Sequence, residues 1–311
     1  MAHRMKPNVR VIGAALLCGT ALLALSSTDG HEATPSLRAR AVSIGDLRLR
    51  FVRAGTGTPV ILLHGYGESL LAWEGVFDRL ARDADVIALD LPGFGLSSKP
   101  ASGYTADSMA TVVSAFLDRL DLRRVVLVGH SLGGVVATAM AVRDPSRVFG
   151  LALVDPALIT PWALAETSDS SRTGASVRRV IAEYELLRGR FSGVHDGNWM
   201  VEDSDATAYQ PSSDPAYAIA LSAVLREFDF AFLTPEGARR LTMPVKLIWG
   251  ALDPVIPVQT GYALARRLPD ATLVVLPRAW HRPQTERPTE VAHVLTAFVR
   301  AVGRGSVESG H

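Results

Sequence analysis

The chain has 311 residues, a net charge of +1, 20% charged and 48% hydrophobic residues, and a single cysteine. Intrinsic disorder is excluded by that hydrophobicity, and one thiol excludes an intramolecular disulfide scaffold and a cysteine-ligated zinc cluster. Near-neutral charge provides no electrostatic footprint for nucleic acid, which leaves a globular chain with ample apolar residues for a buried core.

The first ten residues hold Arg4, Lys6 and Arg10 and no acid, and an uncharged run from Val11 to Leu25 ends in Ser26-Ser27. Basic flank, apolar run and small residues together read as a secretory signal peptide over residues 1–27, cleaved near Ala24–Ser27. The run is shorter than the roughly 20 apolar residues that span a bilayer. Export, secreted or periplasmic, is therefore expected, with a retained N-terminal membrane anchor as the alternative. Cys18 reads as an apolar leader residue, because Leu17 is too bulky for lipoprotein processing.

After a polar linker (28–40), strand and helix signals alternate. Ala41–Ile44 and Leu47–Ala54 read as a strand pair turning at Gly45-Asp46. Pro59–Leu63 is continuously apolar, as a strand buried on both faces requires. Helical spacing over Leu70–Ala81, a strand at Val86–Leu89 and an amphipathic helix over Thr105–Leu120 follow. Strand Val125–Val128, helix Leu132–Val142 and strand Leu151–Val154 complete a first run. The rhythm breaks between residues 157 and 243, a stretch that reads as helical and aromatic. It resumes with strand Val245–Trp249, a helix near Gln259–Leu268, strand Thr272–Leu276 and helix Thr289–Val302. The expected architecture is α/β: a mostly parallel central sheet with helices on both faces, interrupted by a helical lid. Its parts are core residues 41–156, lid residues 157–243, core residues 244–304 and a polar tail from 305 to 311.

The sharpest motif is Gly129-His130-Ser131-Leu132-Gly133, which sits where a buried strand runs directly into a helix. That is G-x-S-x-G in the strand–turn–helix setting its mechanics demand. Ser131 is the candidate nucleophile, and His130 reads as a packing residue. A serine needs a base, and the base needs a carboxylate to orient it. Of the histidines that follow, His311 lies in the tail, His293 reads as a partly buried helical residue, and His195 falls in the insertion. His281 leaves the last strand at its C-terminal edge, where catalytic groups collect in open α/β sheets, and is the candidate base. Asp253, just beyond the preceding strand, is the candidate acid, with Asp155 in Val154-Asp155-Pro156 as its rival.

Leu63-His64-Gly65-Tyr66-Gly67 follows the first parallel strand, and a backbone N–H there would complete an oxyanion hole with that of Leu132. Tyr66 is the first choice of donor and Gly65 the second. His64 reads as a hydrogen-bonded structural residue. Asp90-Leu-Pro-Gly-Phe-Gly-Leu-Ser97 lacks the Gly-Lys-Ser/Thr of a phosphate loop and reads as a structural turn near the site.

These motifs, with Gly-Ala-Leu-Asp253-Pro and Trp280-His-Arg-Pro-Gln-Thr-Glu-Arg-Pro288, resemble the α/β-hydrolase fold enzymes. The similarity is to the lidded subgroup of carboxylesterases, carbon–carbon bond hydrolases and proline iminopeptidases. It covers about residues 42–302 apart from the insertion. Related epoxide hydrolases and haloalkane dehalogenases carry a carboxylate at the elbow; serine at position 131 disfavours both. The resemblance implies a Ser131–His281–Asp253 triad, an acyl-enzyme, and no metal or organic cofactor. A small, largely apolar ester is the expected substrate and the only expected partner, without nucleic acid or stable membrane insertion beyond the possible anchor. The alternatives are carbon–carbon hydrolysis of a diketone and a non-catalytic ligand-binding protein of this fold.

Overall fold

Backbone hydrogen bonding between central strands buried on both faces organises the molecule. The computed structural model describes residues 9–11, 38–158, 214–230 and 232–308. Its strands are β1 (Val9–Val11), β2 (Arg40–Ile44), β3 (Leu47–Ala54), β4 (Pro59–Leu63), β5 (Asp85–Leu89), β6 (Val125–His130), β7 (Val148–Val154), β8 (Val245–Gly250) and β9 (Ala271–Leu276). They form one sheet in the order β1-β9-β8-β7-β6-β4-β5-β3-β2. β2–β3 and β3–β5 pair antiparallel, and every other neighbouring pair is parallel. β1 is unanticipated, since residues 9–11 fall within the expected leader. Three β-bearing residues there extend the edge that β9 otherwise leaves open.

Period-two alternation sends successive side chains to opposite faces of the sheet. Ile61 and Leu63 join one core cluster while Val60 and Leu62 join the other. The first cluster includes residues of α2 (Ala106–Arg119), α3 (Leu132–Arg143) and α6 (Val258–Arg267). The second includes residues of α1 (Glu74–Leu80) and α8 (Pro288–Glu308), so helices cover both faces, as the alternating sequence pattern requires. α2 starts where the Thr105 hydroxyl accepts the Ser108 N–H at 3.1 Å, and it buries Val113, Phe116 and Leu117 on one stripe. Each such side chain contributes about 1.5–3 kcal/mol of apolar burial.

Of the insertion, α4 (Pro215–Glu227) and α5 (Pro235–Arg240) are described, each opening on a proline behind a side-chain cap, Asp214 or Thr234. Phe228 and Phe230 are buried with ring centroids 4.9 Å apart, so these two aromatics are packing residues. Residues 159–213, with His195 and most of the expected lid aromatics, lie outside the described residues, as do residues 12–37 and His311. Among the described residues no helix is long and apolar enough to cross a membrane. His293 is exposed on α8, contrary to the partial burial expected, because it sits on the helix face opposite Val291, Leu295 and Phe298.

Candidate active site

Every chemically suggestive loop emerges at the C-terminal ends of the adjacent strands β4, β6, β7, β8 and β9. Ser131 closes β6 and caps α3 with φ 49° and ψ −116°, a left-handed conformation that a serine adopts only under constraint. The constraint is visible in its backbone: Ser131 N–H donates to the Val154 carbonyl at 3.0 Å, and its own carbonyl accepts from Gly134 and Ala157. A side chain at Gly133 would overlap the Leu63 and His64 carbonyls, and one at Gly129 would overlap the Gly133 carbonyl. Only glycines on both sides let strand and helix approach this closely.

His281 Nε2 lies 3.1 Å from Ser131 Oγ, and His281 Nδ1 lies 2.8 Å from Asp253 Oδ2. A carboxylate beside Nδ1 selects the Nδ1–H tautomer and turns the Nε2 lone pair toward the serine hydroxyl. Asp253 Oδ1 accepts the N–H groups of Val255 at 2.7 Å and Ile256 at 2.9 Å, which locks the carboxylate plane. All three side chains are buried, with Ser131 3%, His281 4% and Asp253 7% exposed. The structure thus brings together the serine, histidine and aspartate singled out in the sequence.

Asp155, the rival acid, ends β7 between them at φ 39°. Its carboxyl does not reach the histidine in any described bond; Oδ1 accepts the Gly250 N–H at 3.0 Å instead. Burial first, and then the charge and hydrogen bond of Asp253, push its carboxyl well above the usual carboxylate range.

At the mouth of β4 the two expected oxyanion donors differ. The Gly65 N–H points to the Glu68 carboxylate at 2.8 Å, so the second-choice donor is committed elsewhere. Tyr66 is buried and anchored through its hydroxyl, which donates to the Leu221 carbonyl of α4 at 3.2 Å. Tyr217 of the same helix donates to the Gly67 carbonyl at 3.1 Å. The described end of the insertion is therefore tied directly to this loop. Leu132 is the first residue of α3, and its N–H has no acceptor within the helix.

Three residues near the site carry more than the sequence assigned to them. His130, expected only to pack, has Nδ1 2.9 Å from Glu68 Oε2, and its Nε2–H donates to the His281 carbonyl at 2.7 Å. Arg282 Nε pairs with Glu68 Oε1 at 2.6 Å. Glu286, on the short helix α7 (Pro283–Glu286), accepts the N–H groups of Trp280 and Arg282 on either side of the histidine. The spacing Gly65-x-x-Glu68 and the position of Glu286 within the quoted motif are the only sequence traces of this network.

His64 is fully buried; its Nδ1–H donates to the Gly65 carbonyl at 2.8 Å and its Nε2 accepts from Leu91 N–H at 3.0 Å. Burial, the largest influence, lowers its pKa, which suits a neutral structural imidazole. Asp90 accepts N–H groups from Leu70 and Leu96, so the glycine-rich loop is a structural turn. Among the described residues no group of three His, Cys, Asp or Glu side chains is placed to hold a metal ion.

Known proteins share this arrangement of strands and loops. A family model described as alpha/beta hydrolase fold matches residues 58–288. A protein of Mycobacterium tuberculosis is 30% identical over 283 residues, covering 86% of this chain and 82% of its own. The 2-hydroxy-6-oxo-6-(2'-aminophenyl)hexa-2,4-dienoic acid hydrolase of Metapseudomonas resinovorans is 28% identical, covering 84% of this chain and 90% of its own. A thermophilic esterase from Thermogutta terrifontis superposes with a TM-score of 0.63 at 26% identity, over 86% of this chain and 99% of that one.

Proposed function

The chain belongs to the α/β-hydrolase fold family and is a hydrolase, and from that premise we propose that it cleaves a small, largely apolar carboxylic ester through an acyl-enzyme on Ser131. The observation that carries this reading is the continuous path from Ser131 Oγ through His281 to Asp253, at 3.1 and 2.8 Å.

His281 Nε2 takes the Ser131 proton as Oγ attacks the ester carbonyl. The imidazolium that forms is stabilised by Asp253, already oriented by two backbone donors. Negative charge gathers on the carbonyl oxygen, where the N–H groups of Leu132 and Tyr66 receive it. Removing one such donor raises a barrier by about 2.7–4 kcal/mol. His281 returns its proton to the leaving alkoxide, giving the alcohol and an acyl-Ser131. Water, deprotonated by the same nitrogen, then releases the acid. No step calls for a metal or organic cofactor.

A second reading, carbon–carbon hydrolysis of a diketone, is favoured by the activity named for the Metapseudomonas relative. A fluorophosphonate probe that labels the wild type and not Ser131→Ala supports a working nucleophile. A panel of acyl esters of rising chain length, run beside a vinylogous diketone, then separates the two readings. Turnover of the diketone alone would overturn the ester.

Export remains part of this proposal, supported by the basic flank and uncharged run of residues 4–25. Cleavage near Ala24–Ser27 would remove β1, so N-terminal sequencing of the mature protein tests it; a retained Met1 or Ala2 favours an anchor.

A further inference from the structure

Asp155 is fully buried at the end of β7, between the strands that present the nucleophile and the acid. Its backbone is held in a left-handed conformation, φ 39°, with its N–H donating to the Ile248 carbonyl at 3.0 Å. Oδ1 accepts the Gly250 N–H, but Oδ2, equally buried, receives no donor among the described residues. The side chain that this carboxyl meets is that of Asp253. Two carboxylates cannot hydrogen-bond to each other unless one of them carries a proton. Asp253 already has three partners, two backbone N–H groups and the His281 ring, so its oxygens serve as acceptors and the shared proton falls to Asp155.

We propose that Asp155 is a neutral carboxylic acid whose Oδ2–H donates to Asp253, making it a positioning residue for the triad. The assignment of a triad rests on the serine-hydrolase reading above, whereas the protonation of Asp155 does not. The charged groups around it agree with this placement of the proton. Burial is the foremost cause of its raised pKa, Asp253 is next, and Glu286 raises it further. An ionised Asp155 would also set a second negative charge against Asp253 with no donor between the two carboxylates.

The physical consequence is that asparagine should imitate the native side chain. Its carbonyl can accept the Gly250 N–H while its amide N–H donates to Asp253. Alanine and valine can do neither. The test compares wild type, Asp155→Asn, Asp155→Ala and Asp155→Val, full length, using the second-order rate of fluorophosphonate labelling across pH. Asp155→Asn is expected to label within threefold of wild type with an unmoved acid limb. Loss of a hydrogen bond to a charged group should slow Asp155→Ala by about 10–100-fold. A downward-moved acid limb in Asp155→Asn, or equal damage from asparagine and alanine, would overturn the proposal, because either means the native carboxyl is ionised. Infrared difference spectra of wild type minus Asp155→Asn at neutral pH provide the independent readout. A protonated-carboxyl C=O band supports the proposal and its absence refutes it, even if the wild type resists the probe and the hydrolase reading fails.

Discussion

Glu68 Oε2 lies 2.9 Å from His130 Nδ1 and 2.8 Å from the Gly65 N–H, so one carboxylate oxygen joins the oxyanion loop to the residue preceding the nucleophile. The other face of the same imidazole holds the His281 carbonyl, and the His130 and His281 rings are 5.1 Å apart. Both ring nitrogens of His130 thus face oxygen atoms. The Gly65 loop, the nucleophile elbow and the His281 loop are fastened through this pair.

Replacing Glu68 by leucine should therefore damage stability and reactivity together. It strands His130 and Arg282 without their carboxylate, and breaking a buried pair from one side costs about 3–5 kcal/mol. Denaturant unfolding should show that loss. Labelling of Ser131 should slow at temperatures where the variant is still folded, because the His281 loop loses its anchor. A variant as stable and as reactive as wild type would show that the network is incidental.

The backbone at Ser131 predicts an opposite trade. Glycine accepts φ 49°, ψ −116° without strain, so Ser131→Gly should raise stability by about 1 kcal/mol while abolishing turnover. Ser131→Ala keeps the strain and should lose turnover with little change in stability. Melting curves of the two variants, read against each other, measure what the elbow stores.

Glycines of the elbow and of the first hairpin should respond very differently to alanine. A Cβ at Gly133 meets main-chain oxygens that cannot move without disturbing β4, so Gly133→Ala should cost about 3 kcal/mol or more. At Gly45 nothing lies within 4 Å of the new carbon, and only the positive φ of 56° is strained. Gly45→Ala should cost about 1–2 kcal/mol. Equal losses would contradict the packing described at the elbow.

Stability should also depend on pH through Asp155. Its carboxyl is raised above the usual value of 3.8, so its contribution is complete below that pH and is lost as pH rises toward the folded value. Above 3.8 the unfolded chain ionises Asp155 freely while the folded chain resists until the pH reaches the folded value. Asp155→Asn has no such liability. Its stability relative to wild type should grow between acidic and neutral pH, and urea midpoints at several pH values will show whether it does.

Much of the site was legible in the residues themselves. A β-branched run ending in Gly-His-Ser-Leu-Gly and followed at once by small helical residues can only be a tight strand-to-helix turn. Aspartate and histidine at the ends of the next apolar strands then follow in the order Ser131, Asp253, His281. Apart from β1, strand positions were equally readable, because burial on both faces leaves unbroken apolar runs such as Val60–Leu63. The Glu68–His130–Arg282 network was not readable: Glu68 and Arg282 are 214 positions apart, and nothing local to either announces the other. Glu286 looked like one acid among several in a polar stretch until α7 turned it toward the histidine loop.

Local pattern thus determined most of the segments that become strands and helices, that the chain folds as an α/β layer structure, and which three side chains meet at the candidate site. These depend on periodicity, glycine punctuation and residue type, all of which act over a few positions. Tertiary structure alone decided that Gly65 spends its N–H on Glu68, that His130 braces the His281 loop, and that Asp155 meets Asp253 and not the base. Those outcomes depend on which loops emerge side by side at the sheet edge. Donors and acceptors excluded from water there must pair with whatever the strand order brings within reach.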